Sequence, residues 1–273
     1  MNPKLKHILN RAAAVLNNPK VNNDYRGPVH VGVDLGTAYT VLVVLDEQYQ
    51  PLAGRYQFAQ IVRDGLVVDY IGAIKLVKTM KAEVEQQLGL TLTSAATSYP
   101  PGVALAEVRA TRNVLIAAGL ECSHFTDEPT AANALLQIRD GVVVDVGGGT
   151  TGLAIIKDGQ VIYTADEPTG GTHFSLVIAG AMNISFEEAE ELKKEPGRQR
   201  TIYPLVRPVM QKVGSIVARH IEPYQVETIY LVGGTSSMPG IDEVIAEMTG
   251  RPTFVPNHPM FVTPLGIAMH DNG

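Results

Sequence analysis

The sequence contains a single cysteine, no block of basic residues and no long apolar run. Cys122 alone excludes an internal disulfide and a zinc site built from several cysteines. The formal net charge of -6 argues against nucleic acid as the main partner, because phosphate backbones are bound by basic faces. No stretch approaches the roughly 18 apolar residues that span a bilayer.

The beginning of the chain also lacks the pattern of a secretory signal. Lys4 and Lys6 are followed by only a short apolar block at residues 12–16. A signal peptide needs an apolar region of about 7–15 residues. We therefore expect a cytoplasmic protein.

Residues 4–16 are predicted to form a short amphipathic helix. Apolar side chains recur at helical spacing from Leu5 to Leu16, and Asn17-Asn18-Pro19 ends the pattern before a polar linker. Such a helix either packs on its own domain or docks onto a partner protein. Both interpretations stay open.

Two distant segments share one plan, in which an apolar run, a turn with aspartate and glycine, and a second apolar run follow each other. The turns are Asp34-Leu35-Gly36-Thr37 and Asp145-Val146-Gly147-Gly148-Gly149-Thr150. The second copy continues into a hairpin signal at Asp158-Gly159. This recurrence indicates a duplicated fold with a site between the copies.

The remaining chain alternates strand-like and helix-like patterns, which predicts an α/β fold. We expect two lobes, each with a mixed β-sheet flanked by helices, and a cleft between them. The predicted parts are an N-terminal helix and linker (1–27), a first lobe (28–140) and a second lobe (141–273). The final helix of the second lobe is expected to cross back to the first.

The two turns suit phosphate and magnesium. Glycine at positions such as Gly36 and 147–149 lets backbone N–H groups approach phosphate oxygens, and Thr37 and Thr150 add hydroxyl donors. Asp34 and Asp145 would hold Mg²⁺ through water, since this ion keeps several waters. A plain β-turn or bulge is the alternative for the three consecutive glycines, Gly147, Gly148 and Gly149.

Two better-known phosphate motifs are excluded. Gly147, Gly149 and Gly152 match the dinucleotide pattern, but that pattern requires a following helix, and residues 153–163 predict a hairpin. The sequence contains no P-loop. The candidate site is therefore of another kind.

Two further motifs carry possible binding groups. Gly233-Gly234-Thr235 follows a buried strand and would pack against a base or sugar, although a simple strand-to-helix turn is equally typical. Glu128 begins a predicted helix. It either stabilises the helix N-terminus or orients an attacking water.

Together these motifs resemble those of the superfamily of actin, sugar kinases and heat-shock chaperone ATPases. The turn motifs, residues 128–132, 170–174, 232–235 and 264–268 occur in the family's order. The resemblance implies ATP or ADP with Mg²⁺ in the cleft. Glu190 and Lys193 match positions that contact ribose and adenine, although an i,i+3 ion pair on a solvated helix face has the same spacing.

A closer resemblance is to the EutJ family of ethanolamine utilisation, described as chaperone-like and associated with bacterial microcompartments. It is carried by residues 62–73, 96–102, 127–131, 149–152 and 165–171. It implies a partner protein of the microcompartment, either an enzyme or a shell component. In the docking interpretation, residues 4–16 would bind that partner.

The resemblance implies attack of water on the γ-phosphate of ATP, with Asp34 and Asp145 on the hydrated metal and Glu128 positioning the water. Gly152 and Ser175 stand where chaperone ATPases have acids. Lys75 is a candidate catalytic lysine, although its place in the pattern fits a lysine on a helix surface better. We therefore expect a weak ATPase, or binding without turnover.

Two other functions stay open. An actin-like filament former is consistent with the resemblance to rod-shape proteins. A small-molecule kinase of the same superfamily would need a base for the acceptor hydroxyl, and the sequence identifies none.

Overall fold

The computed structural model describes residues 2–19, 25–63, 66–103 and 105–273. These residues form two five-stranded sheets flanked by helices, which confirms the predicted two-lobed α/β fold. None of the described helices is both long and apolar enough to cross a membrane. In chain order the elements are α1 (Pro3–Val15), β1 (Val29–Leu35), β2 (Tyr39–Asp46), β3 (Pro51–Phe58), β4 (Val62–Arg63), β5 (Leu66–Val67), α2 (Tyr70–Leu88), β6 (Ser94–Tyr99), α3 (Leu105–Ala117), β7 (Glu121–Asp127), α4 (Glu128–Leu136), β8 (Gly141–Val146), β9 (Thr151–Lys157), β10 (Gln160–Glu167), α5 (Gly171–Met182), α6 (Phe186–Lys194), α7 (Gln199–Ile221), β11 (Ile229–Val232), α8 (Ile241–Thr249), β12 (Thr253–Phe254) and α9 (Val262–Ala268).

The two sheets share one topology. The first has the strand order β3-β2-β1-β6-β7 and the second has the order β10-β9-β8-β11-β12. In each sheet three consecutive strands form an antiparallel meander, and the remaining two continue in parallel from the first strand of the meander. We call the part built on the first sheet the first lobe and the other the second lobe. The duplication predicted from the repeated turns is therefore present in both strand order and strand direction.

Local sequence signals set several element boundaries. Asp69 caps the start of α2 through a 2.8 Å hydrogen bond from the Gly72 amide, and Gly89 ends that helix with a φ of 64°. Asp158 and Gly159, with φ values of 53° and 79°, form the two-residue turn between β9 and β10. The predicted hairpin is thus confirmed.

Helix α1 packs on the first lobe. Ile8, Leu9 and Ala12 are buried in a cluster that includes Val43 of β2, and the Arg11 Nε donates to the Pro51 carbonyl at 2.8 Å. The apolar face of α1 therefore lies inside the protein, as in the own-domain interpretation, and is not open to a partner. The predicted linker falls partly on residues 20–24, which lie outside the described residues.

The segment after α1 covers the outer edge of the first sheet. The Asn17 side chain donates to the Tyr56 carbonyl and accepts from the Tyr56 amide, both at 2.9 Å, on edge strand β3. The Asn17 amide also donates to the Gly54 carbonyl at 3.0 Å. These bonds satisfy backbone groups that an open edge would leave unpaired.

Helices α4 and α9 pack against each other, and each contributes a residue to the cavity between the lobes, Glu128 and Thr263. A Cβ at Gly266 would lie 1.9 Å from the Ala131 carbonyl oxygen, so only glycine permits this approach. Beyond α9, Asp271 accepts hydrogen bonds from the Val31 amide, at 2.8 Å, and from the Ser123 hydroxyl. The end of the second lobe is therefore anchored in the first.

Candidate functional site

The Asp34 turn and the Asp145 turn face each other in direct contact. A Cβ at Gly148 would lie 2.7 Å from the Ala38 Cβ, and a Cβ at Gly149 would lie 2.7 Å from the Thr37 Oγ1. Gly148 and Gly149 are therefore needed because the two turns approach each other closely, which an isolated β-turn would not require. A Cβ at Gly147 would meet only the Thr150 carbonyl oxygen, at 3.5 Å.

One cavity of about 460 Å³ lies between the lobes around these turns. It brings together the residues that the sequence predicted for the site, apart from the candidate catalytic lysine Lys75. They are Asp34, Gly36, Thr37, Glu128, Asp145, Gly147, Gly148, Gly149, Thr150, Glu190, Lys193, Gly233, Gly234 and Thr235. Their chemical roles stay predictions, but their convergence on one cavity is a feature of the fold.

The carbonyl groups of the second turn are tied to neighbouring elements. Gly147 accepts hydrogen bonds from the Gly171 amide at 2.9 Å and the Thr235 hydroxyl at 2.7 Å, and Gly148 accepts from the Thr172 amide at 2.8 Å. Within the described part of the chain, the amides of Gly148, Gly149 and Ala38 donate no hydrogen bond. These N–H groups are therefore available to an anion in the cavity.

Three carboxyl groups from both lobes line the same cavity. Burial, and then the charge of Asp145, raise the pKa of Asp34 to about 7. Burial raises the pKa of Asp145 to about 6, although a 2.5 Å hydrogen bond from the Thr263 hydroxyl lowers it. Burial also raises the pKa of Glu128 well above its usual range, followed by the charges of Asp145 and Asp34. A cation would relieve this mutual repulsion.

The described residues include no group of three or more histidine, cysteine, aspartate or glutamate side chains that could hold a metal ion. The described residues therefore do not form a cluster of side chains that would bind a metal ion directly. Water-mediated contact from Asp34 and Asp145, as predicted from sequence, stays a prediction.

Asp166 is an acid that the sequence reasoning missed. It lies opposite Gly152 in the β9–β10 hairpin, and a Cβ at Gly152 would lie 3.5 Å from its Oδ1. Its charge contributes to raising the pKa of Glu128, after burial and the charges of Asp145 and Asp34. A carboxylate from the neighbouring strand therefore stands beside the position where chaperone ATPases carry one.

Glu190 and Lys193 form an ion pair, with 2.6 Å between the Oε1 and Nζ atoms. The expected alternative of a solvated helix face is wrong, because these side chains are only 8% and 13% exposed. Ser175 donates to the Glu190 carboxylate and accepts from the Lys193 Nζ at 2.7 Å. Ser175 therefore joins a buried polar network beside the cavity.

The Gly233 loop approaches Asp145 closely. Gly233 has a φ of 86°, and a Cβ there would lie 2.2 Å from the Asp145 Oδ1 and 2.6 Å from the Val146 carbonyl oxygen. In contrast, a Cβ at Gly234 would meet only the Met260 Cβ at 3.8 Å. The first glycine is thus required by the second turn rather than by a ligand.

Other cavity residues were not predicted. Thr263, Tyr39, Tyr56 and Lys194 line the cavity. For two of them the sequence offered one indication, which was a position next to a predicted residue. Thr263 precedes the 264–268 motif, and Lys194 follows Lys193. Lys75 is exposed on α2 and does not line the cavity, which favours its helix-surface interpretation.

Comparison with known proteins places this geometry among actin-like ATPases. The family model described as MreB/Mbl protein matches residues 54–203, and that described as cell division protein FtsA matches residues 142–266. The chain is 45% identical over 261 residues to the ethanolamine utilization protein EutJ of Salmonella typhimurium. That alignment covers 95% of this chain and 91% of the relative.

Two solved structures extend the comparison. The ethanolamine utilization protein EutJ from Carboxydothermus hydrogenoformans is 48% identical and has a TM-score of 0.91, with 98% of both chains covered. MreB 5 of Spiroplasma citri, bound to AMPPNP, has a TM-score of 0.73 at 17% identity, with 90% of this chain and 96% of that chain covered. The second likeness is one of fold. These findings confirm the resemblance inferred from the motifs.

Proposed function

The chain belongs to the EutJ family of ethanolamine utilisation, and from this premise we propose that it is an accessory protein that binds Mg²⁺ and ATP between its lobes. The observation that carries the proposal is the meeting of the two glycine turns at one cavity lined by Asp34, Glu128 and Asp145. Nucleotide in the MreB 5 structure, which shares the fold, supports it.

The phosphates would lie in the cavity beside the two turns, whose residues line it. The free amides of Ala38, Gly148 and Gly149 and the hydroxyls of Thr37 and Thr150 are the donors that face this region. Donors from both lobes would then bind one triphosphate, so the nucleotide favours a closed cleft.

The acids of the cavity suit a hydrated magnesium ion. Asp34 and Asp145 belong to opposite turns, and their raised pKa values reflect burial without a compensating cation. Mg²⁺ would neutralise them while keeping water in its coordination shell. ATP carries its own negative charge, so the metal is required for the nucleotide to enter an acidic cavity.

Hydrolysis is proposed to be slow. Glu128 would position the attacking water, with Asp166 beside it as a second carboxylate. Ser175, in the place of a chaperone acid, is occupied by its hydrogen bonds with Glu190 and Lys193. The cleft therefore suits a switch that changes state with bound nucleotide better than rapid turnover.

The switch is proposed to act, in a chaperone-like way, on a protein of the ethanolamine-utilisation microcompartment, either an enzyme or a shell component. Any contact through α1 would use its exposed polar side, including Lys4 and Lys6, because its apolar side is buried. ADP and ATP would favour different openings of the cleft and so different partner affinities.

Calorimetric titration with ATP and Mg²⁺ tests the nucleotide site. Asp145→Asn should weaken binding at least tenfold, since it removes a charge that faces the metal. Asp140→Asn is a matched control, because Asp140 is exposed and lies outside the cavity. Wild-type protein that shows neither heat nor a change in melting temperature at millimolar Mg²⁺ and ATP would contradict the proposal.

A filament-forming role is the second candidate, favoured by the match of residues 54–203 to the MreB/Mbl model. Sedimentation with ATP, with ADP and without nucleotide separates the two functions. Filaments would pellet in the presence of ATP, whereas the proposed switch protein stays in the supernatant at every concentration tested.

A further inference from the structure

Lys194 connects the two lobes across the exposed end of the cavity. It is the last residue of α6 in the second lobe, and its Nζ lies 5.1 Å from the Phe58 ring centre and 5.6 Å from the Tyr39 ring centre in the first. Both distances fall within the range of a cation–π contact. Its ion pair with Glu191, at 3.0 Å, holds the ammonium from the side of α6.

The aromatic side of this contact is itself ordered. Tyr39 and Phe58 are direct register partners on β2 and β3, with ring centres 5.7 Å apart in an edge-to-face arrangement. Tyr39 also lies 6.1 Å from the Tyr56 ring, and Tyr56 lies 5.6 Å from that of Phe261. A row of four rings thus runs from Lys194 to Phe261, the residue that precedes α9.

The contact lies where it can control access from solvent to the cavity. Tyr39, Tyr56 and Lys194 all line the cavity, whereas Phe58 is a large apolar side chain that is 38% exposed. The contact is therefore at the solvent end of the cavity, and it joins residues on opposite sides. It must break whenever the lobes separate there.

Lys194 is charged at neutral pH. Burial lowers its pKa, but the hydrogen bond to Glu191 and the nearby Tyr39 hydroxyl outweigh that effect and hold the pKa above its usual value. A permanent positive charge is the form that the ring faces attract.

We infer that Lys194, Tyr39 and Phe58 form a latch that closes the cleft and sets how long a nucleotide stays in it. This inference rests on the proposed nucleotide binding and deepens it by naming what controls release. The latch acts through contact between the lobes, so its effect on release requires the rings as well as the ammonium.

Release kinetics test the latch. A fluorescent ADP analogue bound with Mg²⁺ is displaced by excess ATP in a stopped-flow instrument. Lys194→Met keeps the aliphatic stem and removes the charge, and should speed release about 2- to 5-fold. Lys194→Arg should retain slow release. Lys212→Met, an exposed lysine of α7 outside the cavity, is the matched control.

A double-mutant cycle shows whether the rings are involved. Phe58→Leu should speed release to a similar extent, and the double variant should be no faster than either single variant. An undiminished effect of Lys194→Met in the Phe58→Leu background would overturn the latch, since Lys194 would then act without the ring. Unchanged release in all variants would also overturn it while leaving nucleotide binding intact.

A second readout needs no nucleotide. The chain has no tryptophan, so Phe58→Trp introduces a single fluorophore at the latch. Its emission should change when Lys194→Met is added to the free protein and should not change with Lys212→Met. Identical spectra in all three proteins would show that the ammonium does not reach the ring in solution and would contradict the latch. Absence of nucleotide binding in calorimetry, in contrast, would overturn the proposed function and with it control of release.

Discussion

The Thr263 hydroxyl donates a 2.5 Å hydrogen bond to the Asp145 Oδ2, and both side chains are buried, at 3% and 7% exposure. Thr263 belongs to α9, which packs against the first lobe, whereas Asp145 lies in the second turn. The bond favours the ionised carboxylate in a place where burial favours the neutral acid. A residue of the crossing helix therefore adjusts the charge of the site.

Thr263→Val should weaken binding of Mg²⁺ and ATP about tenfold at pH 7, because Asp145 loses a donor that favours its charged form. Calorimetry across pH checks the cause. The loss should shrink towards pH 8.5, where Asp145 ionises without help. Thr263→Ser keeps the hydroxyl and should bind like the wild type, and a pH-independent loss would point to a packing defect instead.

Asp34→Asn should stabilise the nucleotide-free protein at alkaline pH. The pKa of Asp34 is about 7 in the folded protein against a usual 3.8. Below about pH 4 both states are protonated, and stability then falls as pH rises to about 7, because only the unfolded chain ionises readily. At pH 8 the melting temperature of the Asp34→Asn variant should exceed that of the wild type by about 2–4 °C for each kcal/mol of stability gained. Near pH 4 the two melting temperatures should be equal.

Gly233→Ala should lower the free energy of unfolding by at least about 2 kcal/mol and abolish nucleotide binding. The substituted alanine would have to keep a positive φ, and its Cβ would lie 2.2 Å from the Asp145 Oδ1. Gly250→Ala is the matched control, since Gly250 also has a positive φ, of 67°, but a Cβ there meets nothing within 4 Å and the residue lies outside the cavity. Urea unfolding and calorimetry on both variants should separate them clearly, and equal behaviour would refute this account of Gly233.

Leu9→Ala should destabilise the protein by about 2–5 kcal/mol, because Leu9 is fully buried on the inner face of α1. Urea unfolding measures this loss. Replacing Lys4 and Lys6 by glutamate, on the exposed side, should change stability by about 0.5 kcal/mol or less. A stable Leu9→Ala variant would mean that α1 is detached in solution, which would restore its apolar face as a docking surface.

The sequence predicted the α/β class, the duplication and the residues of the glycine turns because these depend on local signals such as glycine turns and buried strand runs. Glu190 and Lys193 were proposed only from the family resemblance. The sequence missed β3 and β7, whose residues lack clear alternation of apolar and polar side chains. Both lie at sheet edges, where burial is incomplete and the period-two pattern is weak.

The contacts made by Lys194 and Asp166 could not be predicted, for a related reason. Lys194 meets rings from another lobe, and Asp166 stands beside Gly152 only because the hairpin register pairs them. Such relationships depend on strand register and on how the lobes meet, which periodicity does not encode. The same holds for burial of the Glu190–Lys193 pair, since helical spacing alone fits both a solvated ion pair and a pair beside the cavity.

The backbone contact between Gly266 of α9 and Ala131 of α4 is a candidate pivot between the lobes. Because α4 and α9 touch here without intervening side chains, we expect the lobes to rotate about this contact. A small rotation about this contact displaces atoms more the farther they are from it, so the displacement is largest at the outer ends of the lobes. A partner protein bound to the outer ends of both lobes would therefore be displaced by a change of nucleotide, even when the two glycine turns move very little.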